Sequence, residues 1–171
     1  MSESTQQHRE AARERGGIPC AVLTISDTRT LESDRGGALI IQHLEEAGHR
    51  VVTREILPDD LGRIQSTMRR IARDGNAHAV IVTGGTGIAE RDITPEAIEP
   101  LLTKRLAGFG EIFRMLSWEE IGAAAMLSRA VGGVMGRTAV LVIPGSTAAV
   151  RLAMERLIVP ELAHLVHEAQ K

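Results

Sequence analysis

The stretch "VIVTGGTGIAERDITPEAI", Val80–Ile98, passes from apolar residues into a glycine-rich segment and then into a helix start. Its beginning belongs to "AVIVT", Ala79–Thr83, which is short, rich in β-branched residues and apolar on both alternating faces. A strand that helices cover on both sides needs this pattern. The stretch therefore predicts a central strand of a parallel sheet, with a glycine loop at its carboxyl end.

Other segments predict strands of the same sheet. "CAVLTIS", Cys20–Ser26, and "AVLVI", Ala139–Ile143, repeat the doubly apolar pattern, and "RVVTREIL" at 50–57 is a further candidate. Cys20, the only cysteine, excludes a disulfide framework and is interpreted as a small buried hydrophobe.

Helical spacing of apolar residues predicts helices between these strands. One covers "RGGALIIQHLEEAG" at 35–48, and a second follows Asp59 or Asp60, either of which can cap it. A third begins at Thr94-Pro95-Glu96, with the Thr94 hydroxyl as its cap, and the last, 147–171, should be kinked or interrupted by Pro160. The alternation predicts an α/β protein, a three-layer α/β/α sandwich with a mostly parallel central sheet.

The composition limits the class of protein. With 171 residues, 43% of them hydrophobic, we expect one domain over 18–171, preceded by a polar, flexible tail over 1–17. A net charge of −2 gives no overall field for nucleic acid or for an anionic membrane. Neither a membrane span nor a signal peptide is recognisable in the sequence, so a cytoplasmic location is expected.

Loops at the carboxyl ends of the predicted strands are the expected ligand site, because open parallel sheets bind ligands there. Three glycines in one of them allow the backbone to approach a phosphate closely, although their spacing matches neither a Walker loop nor a dinucleotide fingerprint. The sequence thus favours a phosphorylated ligand, with an ordinary tight turn as the alternative. The four loops are Ser26-Asp27, Pro58-Asp59-Asp60, Thr83 to Gly87 with Arg91-Asp92, and Pro144-Gly145-Ser146-Thr147.

Asp59 and Asp92 stand in two of these loops. Carboxylates beside a phosphate-binding loop would repel the ligand unless a hard cation such as Mg²⁺ lay between them, so the pair is interpreted as metal-holding. The alternatives are a helix cap for Asp59 and a loop charge balanced by Arg91 for Asp92. Likewise, Ser146 either binds an anion or caps the last helix.

Three motifs together resemble the molybdenum-cofactor biosynthesis family of the Mog and MoaB type: "TGGTGIAERDITPEAI", "GFGEIFRMLSWEEIGAAAMLSRAVGG" and "LVIPGSTAAVR". The resemblance extends from Ile18 to about Leu165. It implies a three-layer domain that binds molybdopterin and, in active members, uses Mg-ATP to adenylylate the terminal phosphate of molybdopterin, with release of pyrophosphate. It also implies a homotrimer or homohexamer and contact with other molybdenum-cofactor enzymes.

The same resemblance assigns roles to residues. Asp59 and Asp92 correspond to the functional acids, which are catalytic and hold Mg²⁺. Without the resemblance, the side chains of Glu111, Arg114 and Ser117 in the second motif would fit the solvated face of an amphipathic helix equally well. The turn "PGST" places the chain nearer the MoaB branch, and leaves a catalytically inactive pterin-binding or carrier protein as the alternative function. The implied substrate-binding residues are Ser26, Asp27, Gly84, Gly85, Thr86, Gly87, Glu111, Arg114, Ser117, Ser128, Pro144, Gly145 and Ser146.

Overall fold

The computed structural model describes residues 17–171, and their centre is a six-stranded sheet in the order β2-β1-β3-β6-β5-β4. Three pairs of neighbouring strands are parallel, namely β2 with β1, β1 with β3, and β3 with β6. β5 pairs antiparallel with both β6 and β4. The mostly parallel sheet is thereby confirmed. The strands are Pro19–Ile25 (β1), Arg50–Leu57 (β2), Ala79–Thr83 (β3), Lys104–Arg105 (β4), Val131–Met135 (β5) and Thr138–Ile143 (β6).

Helices cover both faces of the sheet. One face of β1, β3 and β6 packs against α1, α4, α5 and α6, and the opposite face packs against α2 and α3. This arrangement confirms the predicted three-layer sandwich. The helices are Arg35–Glu46 (α1), Leu61–Asp74 (α2), Thr94–Ile98 (α3), Ala107–Ile121 (α4), Thr147–Ala153 (α5) and Val159–Ala169 (α6), with 3-10 turns at Glu99–Leu101 and Gly122–Leu127.

The two antiparallel strands were not predicted, because they lack the apolar pattern. β4 has only two residues, and β5 reads "VGGVM". Its glycines fit close neighbours: a Cβ on Gly132 would lie 2.8 Å from the Cβ of Phe109, and one on Gly133 would lie 2.6 Å from a methyl carbon of Leu102. Bulkier strand-forming residues could not pack at these two positions.

Most helix termini follow the predicted caps. Asp60, and not Asp59, caps α2, since its carboxylate accepts from the backbone N–H of Arg63 at 2.7 Å. The predicted hydroxyl cap of α3 is wrong. Ile93 occupies the cap position without a side-chain bond, and Thr94 lies inside the first turn, fully buried.

The last helical segment is interrupted where Pro160 predicts it. Met154–Ile158 forms a π turn between α5 and α6, and the N–H of Val159 bonds to the carbonyl of Met154. A proline in the following turn lacks the N–H that a continuous α-helix would use, which accounts for the locally widened helix.

Cys20 is fully buried in β1, as interpreted from the sequence. Burial raises the pKa of its thiol to about 12, so the group stays protonated near neutral pH. No helix within residues 17–171 is both long enough and apolar enough to cross a bilayer. Apart from Gly17, the predicted tail lies outside the described residues.

Candidate functional site

A cleft of about 630 Å³ opens at the carboxyl ends of β1, β3 and β6. From β1 the chain passes to β2, which pairs with one side of β1, and then to β3, which pairs with the other side. The carboxyl end of β1 is therefore the topological switch point of the sheet. The lining residues come from the loops after these strands and from the start of α1: Thr24, Ile25, Ser26, Arg29, Glu32, Ser33, Asp34, Arg35, Gly36, Thr83, Gly84, Gly145, Ser146 and Thr147.

Backbone segments pack directly against one another at the base of this cleft. Gly84 has φ 95°, and a Cβ there would overlap the carbonyl oxygen of Ile25. A Cβ on Gly145 would lie 3.2 Å from the Cα of Gly84. The ends of three strands therefore meet through main-chain atoms, which leaves their N–H and C=O groups close to any ligand in the cleft.

A buried carboxylate fixes the start of α1 beneath the cleft. Asp34 is 3% exposed and accepts hydrogen bonds from the Gly37 N–H at 2.8 Å and from the Thr24 hydroxyl at 2.9 Å. Arg54 of the neighbouring strand forms an ion pair with it at 3.3 Å. These bonds satisfy the buried charge, so α1 is anchored to both β1 and β2.

The predicted acids lie together beside the glycine loop. The N–H of Asp59 donates to Oδ1 of Asp27 at 3.1 Å. Partial burial raises the pKa of Asp59, and the nearby charges of Asp27 and Asp92 raise it further, against a lowering effect of Arg91. Asp27 and Asp92 each lie close enough to Asp59 for their negative charges to disfavour its ionised form.

Gly85 lies between these acids and α3. Its φ is 59°, and a Cβ there would overlap the Thr94 hydroxyl and lie 2.7 Å from Oδ1 of Asp59. Both of those oxygen atoms are buried and have no hydrogen-bond partner among residues 17–171. Unpartnered buried oxygens are costly unless something binds them, so this small region is suited to a cation or a donor from a ligand.

A magnesium ion is compatible with the donors present. Mg²⁺ prefers carboxylate and hydroxyl oxygens, and it keeps several waters or phosphate oxygens in its coordination shell. Asp59 supplies the unpartnered carboxylate oxygen, and Asp92 supplies a second carboxylate nearby. Across residues 17–171, no three His, Cys, Asp or Glu side chains converge as a metal cluster, so the protein itself would supply only part of the shell.

The loop that carries Asp92 is folded back on itself. Oδ2 of Asp92 accepts from the Ala89 N–H at 3.1 Å, while the Asp92 N–H donates to the Ala89 carbonyl at 2.9 Å. A Cβ on Gly87 would lie 2.5 Å from Oδ2 of Asp92. Gly87 is therefore required for the carboxylate to fold over the loop in this way.

Arg129 contacts the same loop and was not among the predicted site residues. Its guanidinium donates to the carbonyls of Thr86 at 3.0 Å, Gly87 at 2.5 Å and Asp92 at 2.6 Å, and it forms an ion pair with Glu96. Carbonyl acceptors leave no pattern in a sequence, so only the folded chain reveals these contacts.

The substrate-binding residues predicted from the second motif do not line the cleft at the strand ends, although Arg129 of the same motif contacts the Asp92 loop. Arg114 and Ser128 line a separate cleft of about 410 Å³, together with Glu96 and Arg129. Ser117 is 4% exposed and bonds to the Phe113 carbonyl, so the solvated-face interpretation is wrong for it. That interpretation holds for Glu111, which is exposed on α4.

Ser146 serves as a helix cap in the structure. Its hydroxyl accepts from the Ala149 N–H at 3.2 Å at the start of α5. The residue is nevertheless exposed and lines the main cleft beside Gly145. Capping and ligand contact are therefore compatible at this position.

Known proteins share this fold and much of this sequence. A family model described as "Probable molybdopterin binding domain" matches residues 21–164. "Molybdenum cofactor biosynthesis protein B" of Bacillus subtilis (strain 168) is 52% identical over 169 residues, which are 98% of either chain. A crystal structure of a "Molybdenum cofactor biosynthesis protein B" matches with a TM-score of 0.86 at 50% identity, over 89% of this chain and 95% of the other. The "tungsten cofactor synthesizing protein MoaB" from Pyrococcus furiosus matches with a TM-score of 0.81 at 37% identity, over 90% and 98%.

Proposed function

The chain belongs to the molybdenum-cofactor biosynthesis family that carries this probable molybdopterin-binding domain, and on that premise we propose that it adenylylates the terminal phosphate of molybdopterin with Mg-ATP. The observation that carries the proposal is the position of the glycine loop. Gly84 lines the cleft of about 630 Å³, while Gly85 and Gly87 face the acids Asp59 and Asp92. One loop thus connects a place for a polyanion with a place for its cation.

The cleft provides donors suited to phosphate. Arg29, Arg35 and the strand-to-helix turn at Ser146 are among its lining residues. Backbone N–H groups at glycine loops and helix starts bind phosphate oxygens without a side chain. These groups would orient two phosphorylated substrates toward each other, and such orientation supplies a large part of phosphoryl-transfer catalysis.

The proposed reaction is a direct displacement. An oxygen of the molybdopterin phosphate bonds to the α-phosphorus of ATP, and the bond from that phosphorus to the bridging oxygen of the β-phosphate breaks. Pyrophosphate leaves with the bonding electron pair. Because the second pKa of a phosphate monoester is about 6, the attacking oxygen needs no side-chain base at neutral pH. The protein's task is to position the phosphates and neutralise their charge.

Asp59 and Asp92 would hold the Mg²⁺ that accompanies ATP. When bound, Mg²⁺ neutralises negative charge on the phosphates and on the departing pyrophosphate. Asp59 must be ionised for this task, and because its pKa is raised, it loses the ionised form at a higher pH than an ordinary aspartate does. The bond from its own N–H to Asp27 fixes the backbone on which the carboxylate stands.

An incubation of the purified protein with molybdopterin, ATP and Mg²⁺ tests the proposal. Formation of pyrophosphate together with an adenylylated pterin in equal amounts is the expected result. The alternative function, a pterin-binding or carrier protein, predicts molybdopterin binding without consumption of ATP. Binding without either product, at saturating Mg²⁺ and ATP, would therefore reject the adenylyltransferase and favour the carrier.

An exposed apolar face supports the proposal that the chain forms a homotrimer or homohexamer. Residues at helical spacing along α4 leave 45–62% of their surface exposed, although all are large and apolar. An isolated domain rarely keeps such a continuous patch in water. The residues are Ile112, Met115, Trp118 and Ile121.

A further inference from the structure

We propose that Arg129 is a positioning residue that holds the Asp92 loop in the shape required for cation binding. The inference rests on the proposed function, because it concerns the same acid site. Arg129 itself need not contact either substrate. It acts on the main chain that places Asp92.

The guanidinium contacts both ends of the loop. The carbonyls of Thr86 and Gly87 belong to the first part of the loop, and that of Asp92 belongs to the last part. A planar guanidinium presents several N–H donors in a fixed fork, so one side chain can join these separated carbonyls in a single geometry. The ends of the loop are thereby held at a set distance.

An ion pair fixes the guanidinium itself. Glu96 in the first turn of α3 pairs with Nη1 of Arg129, leaving Nε and Nη2 directed at the carbonyls. The side chain of Arg129 is 29% exposed, so these bonds are partly shielded from water. Charge-assisted hydrogen bonds in such a setting are stronger than bonds between neutral groups.

Arg129 binds the main chain of Asp92 and does not occupy the carboxylate. Arg129 donates to the carbonyl of Asp92, whereas the carboxylate of Asp92 folds onto the Ala89 N–H. The carboxylate therefore keeps lone pairs for a cation, while the cationic side chain controls where it stands. Loss of the guanidinium would loosen the loop without removing either acid.

Arg129→Lys is the test variant, because a lysine keeps the charge but has no fork to join several carbonyls. Arg70→Lys is the matched control, since Arg70 also pairs with a glutamate, Glu55, but on the outer surface of α2 and β2. Two quantities are measured: hydrogen exchange of the peptide covering 84–92, and the affinity for Mn²⁺ alone, by electron paramagnetic resonance. The Mn²⁺ binding that is lost in Asp92→Asn is the binding at the acid site.

Arg129→Lys should increase exchange in the loop and weaken Mn²⁺ binding, each about tenfold, the usual effect of losing one charged hydrogen bond. Arg70→Lys should match wild type in both quantities. Wild-type exchange or wild-type Mn²⁺ affinity in Arg129→Lys would overturn the proposal. A wild-type protein that binds Mn²⁺ but does not adenylylate would reject the proposed function alone. If wild type binds no Mn²⁺, the cation-binding role of Arg129 is rejected with the metal site.

Discussion

The backbone N–H of Asp59 donates to the carboxylate of Asp27, and this 3.1 Å bond joins the loops that follow two adjacent strands, β2 and β1. Two acids from distant parts of the sequence thus stand side by side. Asp92, from the loop after β3, adds its charge to the same region. The proposed function can therefore be tested by removing the charge of one of these carboxylates at a time.

Removal of the Asp27 charge should shift the pH dependence of activity. Asp59 has a raised pKa, caused first by burial and then by Asp27 and Asp92, so Asp27→Asn should lower the pKa of Asp59. Since the ionised form binds Mg²⁺, the acid limb of the pH–rate profile should move to lower pH. The asparagine can still accept the Asp59 N–H through its side-chain oxygen.

Asp60→Asn is the control for that experiment. It removes a neighbouring carboxylate that caps α2, and asparagine caps a helix equally well. Asp60 is not among the groups that shift the pKa of Asp59, so its variant should keep the wild-type profile. An acid limb that stays in place or moves to higher pH in Asp27→Asn would contradict the electrostatic account.

Gly85→Ala should abolish activity while Gly75→Ala retains it. Both glycines have a left-handed φ, 59° and 68°, where an alanine costs about 1–2 kcal/mol. The Cβ at 85 would meet Thr94 and Asp59, whereas a Cβ at 75 would meet no atom of residues 17–171 within 4 Å. Thermal unfolding measures the backbone strain in both variants. The adenylylation rate measures the effect of displacing the Asp59 carboxylate. Equal activities would show that the close packing around Gly85 is not required.

The sequence predicts most of this sheet because buried parallel strands have a distinctive composition. β1, β3 and β6 are apolar on both faces, and no polar segment could replace them in the middle layer. β4 and β5 were missed since two residues and a pair of glycines carry no such pattern. Their place depends on Phe109 and Leu102, which come from elsewhere in the chain.

For the candidate site, the sequence places loops more successfully than side chains. The rule for parallel sheets brings Asp27, Asp59 and the glycine loop to one edge. Thr94 was interpreted as a cap because hydroxyls commonly precede a proline at helix starts, but its hydroxyl is buried beside Gly85. The contacts of Arg129 could not be predicted, because they join carbonyls about 40 residues away in sequence.

Charges on the apolar face of α4 should dissociate the proposed oligomer. Met115→Glu with Trp118→Glu would place two carboxylates where 56% and 62% of the native side chains are exposed on the isolated chain. Desolvating those charges at an interface is costly, so light scattering after size exclusion should show a monomer. Val52→Glu, on the edge strand β2, should leave the assembly unchanged. A monomeric wild-type protein would refute the assignment of this face.

The most direct measurement compares wild type with Asp92→Asn in one experiment with molybdopterin, ATP and Mg²⁺. The asparagine keeps the size of the side chain and loses the charge that the cation requires, so adenylylated product should fall by about a hundredfold or more. Molybdopterin binding, measured in the same samples by fluorescence, should remain close to wild type. Full turnover by Asp92→Asn would show that the acids beside the glycine loop are not the active centre.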